Sequence, residues 1–279
     1  MSSEITTVDQ TEANALLAQL GTVTSDQIKV PFLNTQYKPD DKQGRDVNAH
    51  RGSFYLSNQS NPVYAKQVKA RFLCQHFQYR VTNSETFKTD NKTVLMEDIR
   101  KVTEPRDMKG GIRCGRPDPK VWRNLDADDK KNYSHIKAYR ILKGIVSYTG
   151  VTADGDEVTV ENEPFQLWHK GMNYMGFDRD VTKNLNGGHF HTMWIDLSNK
   201  KDGMAYVTNF NLDFKTPAPM TQEVVDTLRT FLDMVRQEND LILSSFDKAQ
   251  NGDASEIDGA MDTVLEHMPE EADLEKDFA

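Results

Sequence analysis

Cysteine is scarce in this chain: Cys74 and Cys114 are the only two in 279 residues. Two are too few for a disulfide scaffold, so both are expected as thiols in a reducing compartment. Long hydrophobic runs are missing as well. No apolar stretch approaches the roughly 18 residues that suggest a membrane-spanning helix. The opening Met1-Ser2-Ser3-Glu4 has neither the basic nor the apolar region of a secretion signal. These absences give the expectation of a cytoplasmic location and no membrane partner. Catalytic signatures are absent too: there is no G-x-x-x-x-G-K-[ST] loop, no G-x-G-x-x-G after a strand, no G-x-S-x-G and no H-E-x-x-H. The sequence therefore gives no reason to expect an enzyme or a cofactor.

Net charge is also lacking, once one segment is set aside. Residues 252–279 hold ten carboxylates against the single base Lys276, while the other 251 residues carry 33 acidic and 33 basic side chains. The whole net charge of −9 belongs to this terminal segment. One-signed charge with little apolar content predicts a segment that stays disordered or folds only on a partner.

The body has 37% hydrophobic residues, enough for a core. Its organisation is expected as an N-terminal helix and polar loop region (1–62), a main domain (63–250) and the acidic tail (251–279). Ala13, Leu16, Leu17 and Leu20 predict a short helix ending at Gly21. Residues 34–61, rich in Asn, Gln, Ser and Asp, read as loop. From Val63 to Val81 the residues alternate. Val68, Ala70, Phe72, Cys74 and His76 are expected on one strand face, with Lys69, Arg71, Leu73, Gln75, Phe77 and Tyr79 on the other.

Further strands are expected at 93–99, 135–151, 157–160, 165–169, 191–197 and 204–214, with turns at Asp154-Gly155 and Asp202-Gly203. One helix is expected over 221–246. Its apolar stripe is Val224, Val225, Leu228, Phe231, Leu232, Val235, Ile242 and Phe246, with Thr221 as cap. This helix packs on the sheet or pairs with a second copy, so a homodimer is open. The fold class is mainly β, of α+β type.

Basic residues concentrate in residues 64–143, with 19 basic and 10 acidic side chains. Aromatic rings are interleaved with them. Cations beside stacking rings suit single-stranded nucleic acid, because phosphates attract without regard to sequence and every base has a π-face. The candidate DNA-binding residues are Lys66, Lys69, Arg71, Phe77, Tyr79, Arg80, Lys109, Arg113, Arg116, Trp122, Arg123, Lys137, Tyr139 and Arg140. Glycines 110, 111 and 115 in the loop 106–117 would let backbone approach a phosphodiester.

The tail residues Glu270, Glu271, Asp273, Glu275, Asp277 and Phe278 close on an aromatic beside a carboxylate. In this the chain resembles single-stranded DNA-binding proteins, both the bacterial kind and the T7-type bacteriophage kind. The resemblance covers about a tenth of the chain. Phe278 is penultimate, where the bacterial tail ends on Phe, and Lys276 interrupts the acidic run.

The resemblance implies an OB-fold-like antiparallel barrel, a role in DNA replication, recombination or repair, and a tail that competes with DNA for the basic groove. It also implies docking of replication proteins through Asp273, Glu275, Asp277 and Phe278, and host cytoplasm as the location if a phage encodes the chain.

Two other readings stand beside it. A viral structural or assembly protein would use the basic block to bind another subunit. A metal-dependent hydrolase would use His169, His189 and His191, with Asp196 completing the site; Cys74, His76 and Cys114 supply a second, three-donor set. Glycine-flanked loop histidines and buried thiols are the commoner explanations of both sets, so no metal is expected.

Overall fold

Two long strands, β4 (Gln67–Thr82) and β6 (Ile136–Thr152), pair antiparallel from Lys69–Ser147 to Val81–Ile136 and form the centre of the molecule. Both are rich in the β-branched and aromatic residues that fit a pleated surface. The computed structural model describes residues 30–83, 88–185 and 188–251. The helix expected before Gly21 and the acidic tail lie outside these residues.

On its other edge β6 pairs with β7 (Glu157–His169), through the Asp154-Gly155 turn. The two strand signals at 157–160 and 165–169 are thus one strand. The free edge of β4 is shared. Its first four residues pair with β8 (Trp194–Asp202), which pairs in turn with β9 (Ala205–Asp213) through Gly203, while its far end pairs with β5 (Thr89–Lys92). The short β3 (Val63–Tyr64) extends the sheet beside the end of β6. The strand expected at 93–99 lies earlier, at β5, and beyond it Met96 makes an isolated bridge to Phe77.

The sheet is open. The outer strands β7 and β9 do not pair with each other, so the closed barrel expected from the resemblance is corrected to an open antiparallel sheet. Helices bury its faces where barrel closure would otherwise do so. On one face α3 (Gly171–Asp180) places Phe177 against Phe72 and Phe210, within a core that also holds Phe165, Leu142, Ile195 and Leu197. On the other lies α4 (Gln222–Gln250), with Val224 and Phe231 against Leu73 and Ile145, and Val235 against Tyr139 and Ile141.

The polar stretch 34–61 is not all loop. It contributes to a two-stranded sheet of β1 (Leu33–Thr35) and β2 (Phe54–Leu56), whose Leu33, Phe54 and Leu56 are buried in the main core. Three-residue strands are too short to show a period against an Asn- and Ser-rich background.

Helix α4 matches its sequence signal closely. Thr221 caps it by accepting from the Val224 amide, and it runs on to Gln250. Leu232, expected in the stripe, is exposed. Among the described residues no helix is long and apolar enough to cross a membrane.

Candidate nucleic-acid interface

The register of β4 decides where its basic residues go. Phe72 faces Gly144 across the ladder, but Cys74 faces Lys143, so Leu73 is an extra residue, a β-bulge. Gly144 opposite it is required, because a Cβ there would collide with the Arg71 carbonyl.

One inserted residue reverses the alternation for the rest of the strand. Directly paired residues share a face, so Cys74, His76, Gln78 and Arg80 join Arg71, Lys143 and Tyr139 under α4. Phe77 and Tyr79 join Phe72 on the α3 side. The expected grouping of Lys69 and Arg71 with Phe77 and Tyr79 is therefore corrected.

Six of the candidate DNA-binding residues are interior: Arg71, Phe77, Tyr79, Arg80, Tyr139 and Arg140 are each 7% exposed or less. Arg140 is held by Gln75 Oε1 and by Asp178 Oδ1, both at 2.7 Å, among the rings of Phe77, Tyr174 and Phe177. The Arg80 guanidinium lies 3.7 Å from the Trp168 ring centroid and donates to Gln78 Oε1. Such stacking and planar hydrogen bonding suit arginine to interiors.

Below α4 the sheet holds a charge cluster that the sequence did not disclose. Glu238 receives Lys92 Nζ at 3.0 Å and Gln78 Nε2 at 3.1 Å, and Arg80 Nη2 lies 3.8 Å away. Burial alone would raise the Glu238 carboxyl. Lys92, Arg80 and Lys143 overcome this and hold it at about 2. The same burial lowers Lys92 and Lys143.

A trace of this cluster is present in the sequence. The α4 stripe steps from Val235 to Ile242, and the missing turn is filled by Glu238 and Asn239. Asn239 pairs with the Leu95 backbone, accepting its N–H at 2.6 Å and donating to its carbonyl at 3.3 Å.

The loop 106–117 also turns inward. Buried Asp107 accepts the amides of Lys109, Gly111 and Cys114. Those N–H groups are thereby used within the loop and are not free to donate to a phosphodiester approaching this backbone.

Among the surface candidates, Lys66 donates to the Arg51 carbonyl, Lys69 pairs with Asp213 at 2.7 Å and Lys109 with Asp90 at 2.7 Å. Lys137 and Arg123 are exposed. Arg113, Arg116 and Trp122 do come together. Arg113 Nε donates to the Arg116 carbonyl, and the Arg116 guanidinium stacks 3.9 Å from the centroid of half-buried Trp122. Trp122 sits on α1 (Pro119–Asn124), capped by Asp118. Beside it α2 (Ala127–Lys131), capped by Asp126, brings Lys130 to 6.0 Å from the indole and leads into Tyr133 at 6.2 Å.

The first part of the 106–116 loop meets the end of α4. At the end of α4, Gln250 Nε2 donates to the Gly110 carbonyl at 2.6 Å, and Arg106 lies over Phe246 at 5.0 Å. The chain thus leaves α4 against Arg106 and Gly110, whereas Cys114 and Arg116, farther along the same loop, lie beside Tyr79 on the opposite face of the sheet. The tail candidates Asp273, Glu275, Asp277 and Phe278 lie outside the described residues.

The histidines do not converge. His169 is buried against Phe210, whereas His189 and His191 stack on each other with ring centroids 5.2 Å apart. Asp196 lies 3.9 Å from Lys69. Cys74 and His76 face α4, while Cys114 packs with Phe77 and Tyr79 on the opposite side. Burial raises both thiols and, for Cys114, Asp107 adds to the effect. Among the described residues no three His, Cys, Asp or Glu side chains form a metal-binding group. Comparison with protein-family models, curated proteins and solved structures found no match.

Proposed function

We propose that the protein binds single-stranded DNA on the surface formed by Arg113, Arg116, Lys120, Trp122, Arg123 and Lys130, and that residues 252–279 compete with DNA for it. The observation that carries this reading is the Arg116–Trp122 stack, on a basic segment whose Arg106–Gly110 end meets α4 where the tail of ten carboxylates begins. The site stands on an open sheet rather than in an OB barrel groove, and it is smaller than the sequence suggests. A tethered polyanion holds a high local concentration near the cations at its root, and a single strand displaces it by supplying more phosphates.

Two measurements test the reading. Trp122→Ala is expected to weaken binding to an oligothymidylate by roughly 5- to 150-fold, the effect of losing about 1–3 kcal/mol of base stacking. Unchanged affinity, by fluorescence anisotropy at fixed salt, would remove Trp122 from the interface. Deletion of residues 252–279 is expected to lower Kd at low salt. The gain should shrink as ionic strength rises toward ~1 M, where the screening length is about 3 Å. Equal affinities for full-length and shortened chains across the whole salt titration would exclude competition. Large nucleic-acid-free assemblies in the same samples would favour the assembly reading.

A further inference from the structure

Where β4, β6 and β8 meet the start of α4, a cavity of about 160 Å³ opens between Arg71, Ile145, Trp194, Pro219 and Val224. Arg71 is 2% exposed. Its Nε donates to the His191 carbonyl at 2.9 Å and its Nη1 to the Pro219 carbonyl at 2.7 Å. Both acceptors are neutral, and no carboxylate of the described residues lies within ion-pairing distance of the guanidinium. A desolvated cation without a counter-charge is costly to keep, and here it borders open space. The first turn of α4, which also lines the cavity, adds the positive end of a 29-residue helix.

We propose that this cavity binds a small monocarboxylate with an apolar body, its carboxylate on Arg71 and its body against Ile145, Trp194 and Val224. Three features select that chemistry. The volume is close to the ~150 Å³ of an apolar cavity that accepts benzene. Ile145, Trp194, Pro217, Pro219 and Val224 form the apolar half of the lining, and Arg71 is its one cation, so the guanidinium fixes the orientation of an anion. The charge balance favours a single negative charge, because exposed Glu223 also lines the cavity. A phosphate monoester brings about −1.5 to −2, more than one guanidinium beside a carboxylate can neutralise. The site is separate from the Trp122 surface and does not depend on DNA binding.

The test uses the full-length protein and benzoate as probe, followed by NMR at the Trp194 indole N–H, which donates to the Pro217 carbonyl at the cavity wall. Benzoate should shift this resonance saturably, and neutral benzamide should bind at least about tenfold more weakly, as expected when a charge-assisted bond is lost. Phenyl phosphate should bind more weakly than benzoate and gain affinity in Glu223→Gln. Arg71→Gln should abolish benzoate binding. Because Arg71 also ties β4 to two loops, Thr227→Phe serves as a second variant: it fills the cavity from α4, leaves Arg71 in place and should abolish binding with the rest of the spectrum unchanged. No benzoate shift at Trp194, equal binding of benzamide, tighter binding of phenyl phosphate, or full binding by a folded Thr227→Phe would each overturn the proposal.

Discussion

Glu238→Leu is expected to destabilise the protein by about 3–5 kcal/mol, the usual cost of removing one partner from a buried ion pair. Lys92 is 3% exposed and has Glu238 at 3.0 Å, with Lys143 also buried in the same interior. Without the carboxylate, Lys92 keeps a desolvated ammonium or gives up its proton, and either outcome favours the unfolded chain. Glu238→Gln should lie between wild type and Leu, because an amide oxygen still accepts from Lys92 and Gln78 but carries no charge. The double variant Glu238→Leu/Lys92→Met should recover much of the loss, since apolar replacement of a buried pair is often neutral.

Urea denaturation measures all three, with exposed Asp240→Asn on the same helix expected within about 0.5 kcal/mol of wild type. A loss below about 1 kcal/mol for Glu238→Leu would mean that the cluster does not latch α4 to the sheet. The pH dependence has a defined sign. A carboxyl held at about 2 in the folded state contributes stability that is complete above its unfolded value near 4.5 and is lost as pH falls toward 2.

The central strands and α4 were legible because their signals are long. β4 and β6 each run for more than a dozen residues, and the α4 stripe repeats with a Thr cap before it. What defeated the reading of the candidate site was one residue. Leu73 resembles its neighbours in composition, yet as a bulge it moved His76, Gln78 and Arg80 to the face of Arg71 and carried Phe77 and Tyr79 away from it.

The second obstacle was the default that Lys and Arg are exposed. In this fold Arg71, Arg80, Arg140, Lys92 and Lys143 are interior, and the carbonyls that hold Arg71, the ring over Arg80, the amide on Arg140 and the carboxylate on Lys92 lie too far away in sequence to be anticipated. The clue that did exist was Glu238 itself, a carboxylate in the apolar stripe. Its partners lie about 100 or more residues away, so the sequence marks a part-buried charge there without naming what neutralises it. The Arg116–Trp122 stack was nearer to legible, since both residues come from one short basic and aromatic segment.

Stability is expected to fall steeply between pH 6.5 and 4.5, above the range in which Glu238 titrates, with His169 as the principal cause. His169 ends β7, faces Arg140 across the ladder, is 3% exposed and meets the Phe210 ring edge-on at 5.5 Å. Burial lowers its affinity for a proton, the Arg140 charge lowers it further, and the group is held at about 3. Asp178, the partner of Arg140, keeps that guanidinium in place. The unfolded chain takes up the proton near pH 6.5 while the folded chain does not. Each pH unit below 6.5 therefore costs about 1.4 kcal/mol, or about 2.7 kcal/mol by pH 4.5.

His76, held at about 4 mainly by burial, adds to the loss in the same window. His169→Leu removes its share, so the difference in unfolding free energy between pH 7.5 and 4.5 should shrink by about 2–3 kcal/mol relative to wild type. The ring resonances of His169 should show no titration above pH 5 in the folded protein. A midpoint near 6.5, or an unaltered pH slope in His169→Leu, would place the acid sensitivity elsewhere. Because Arg140 and His169 share one interior face with Phe72 and Phe177, the same result would report whether the α3 side of the sheet stays dry.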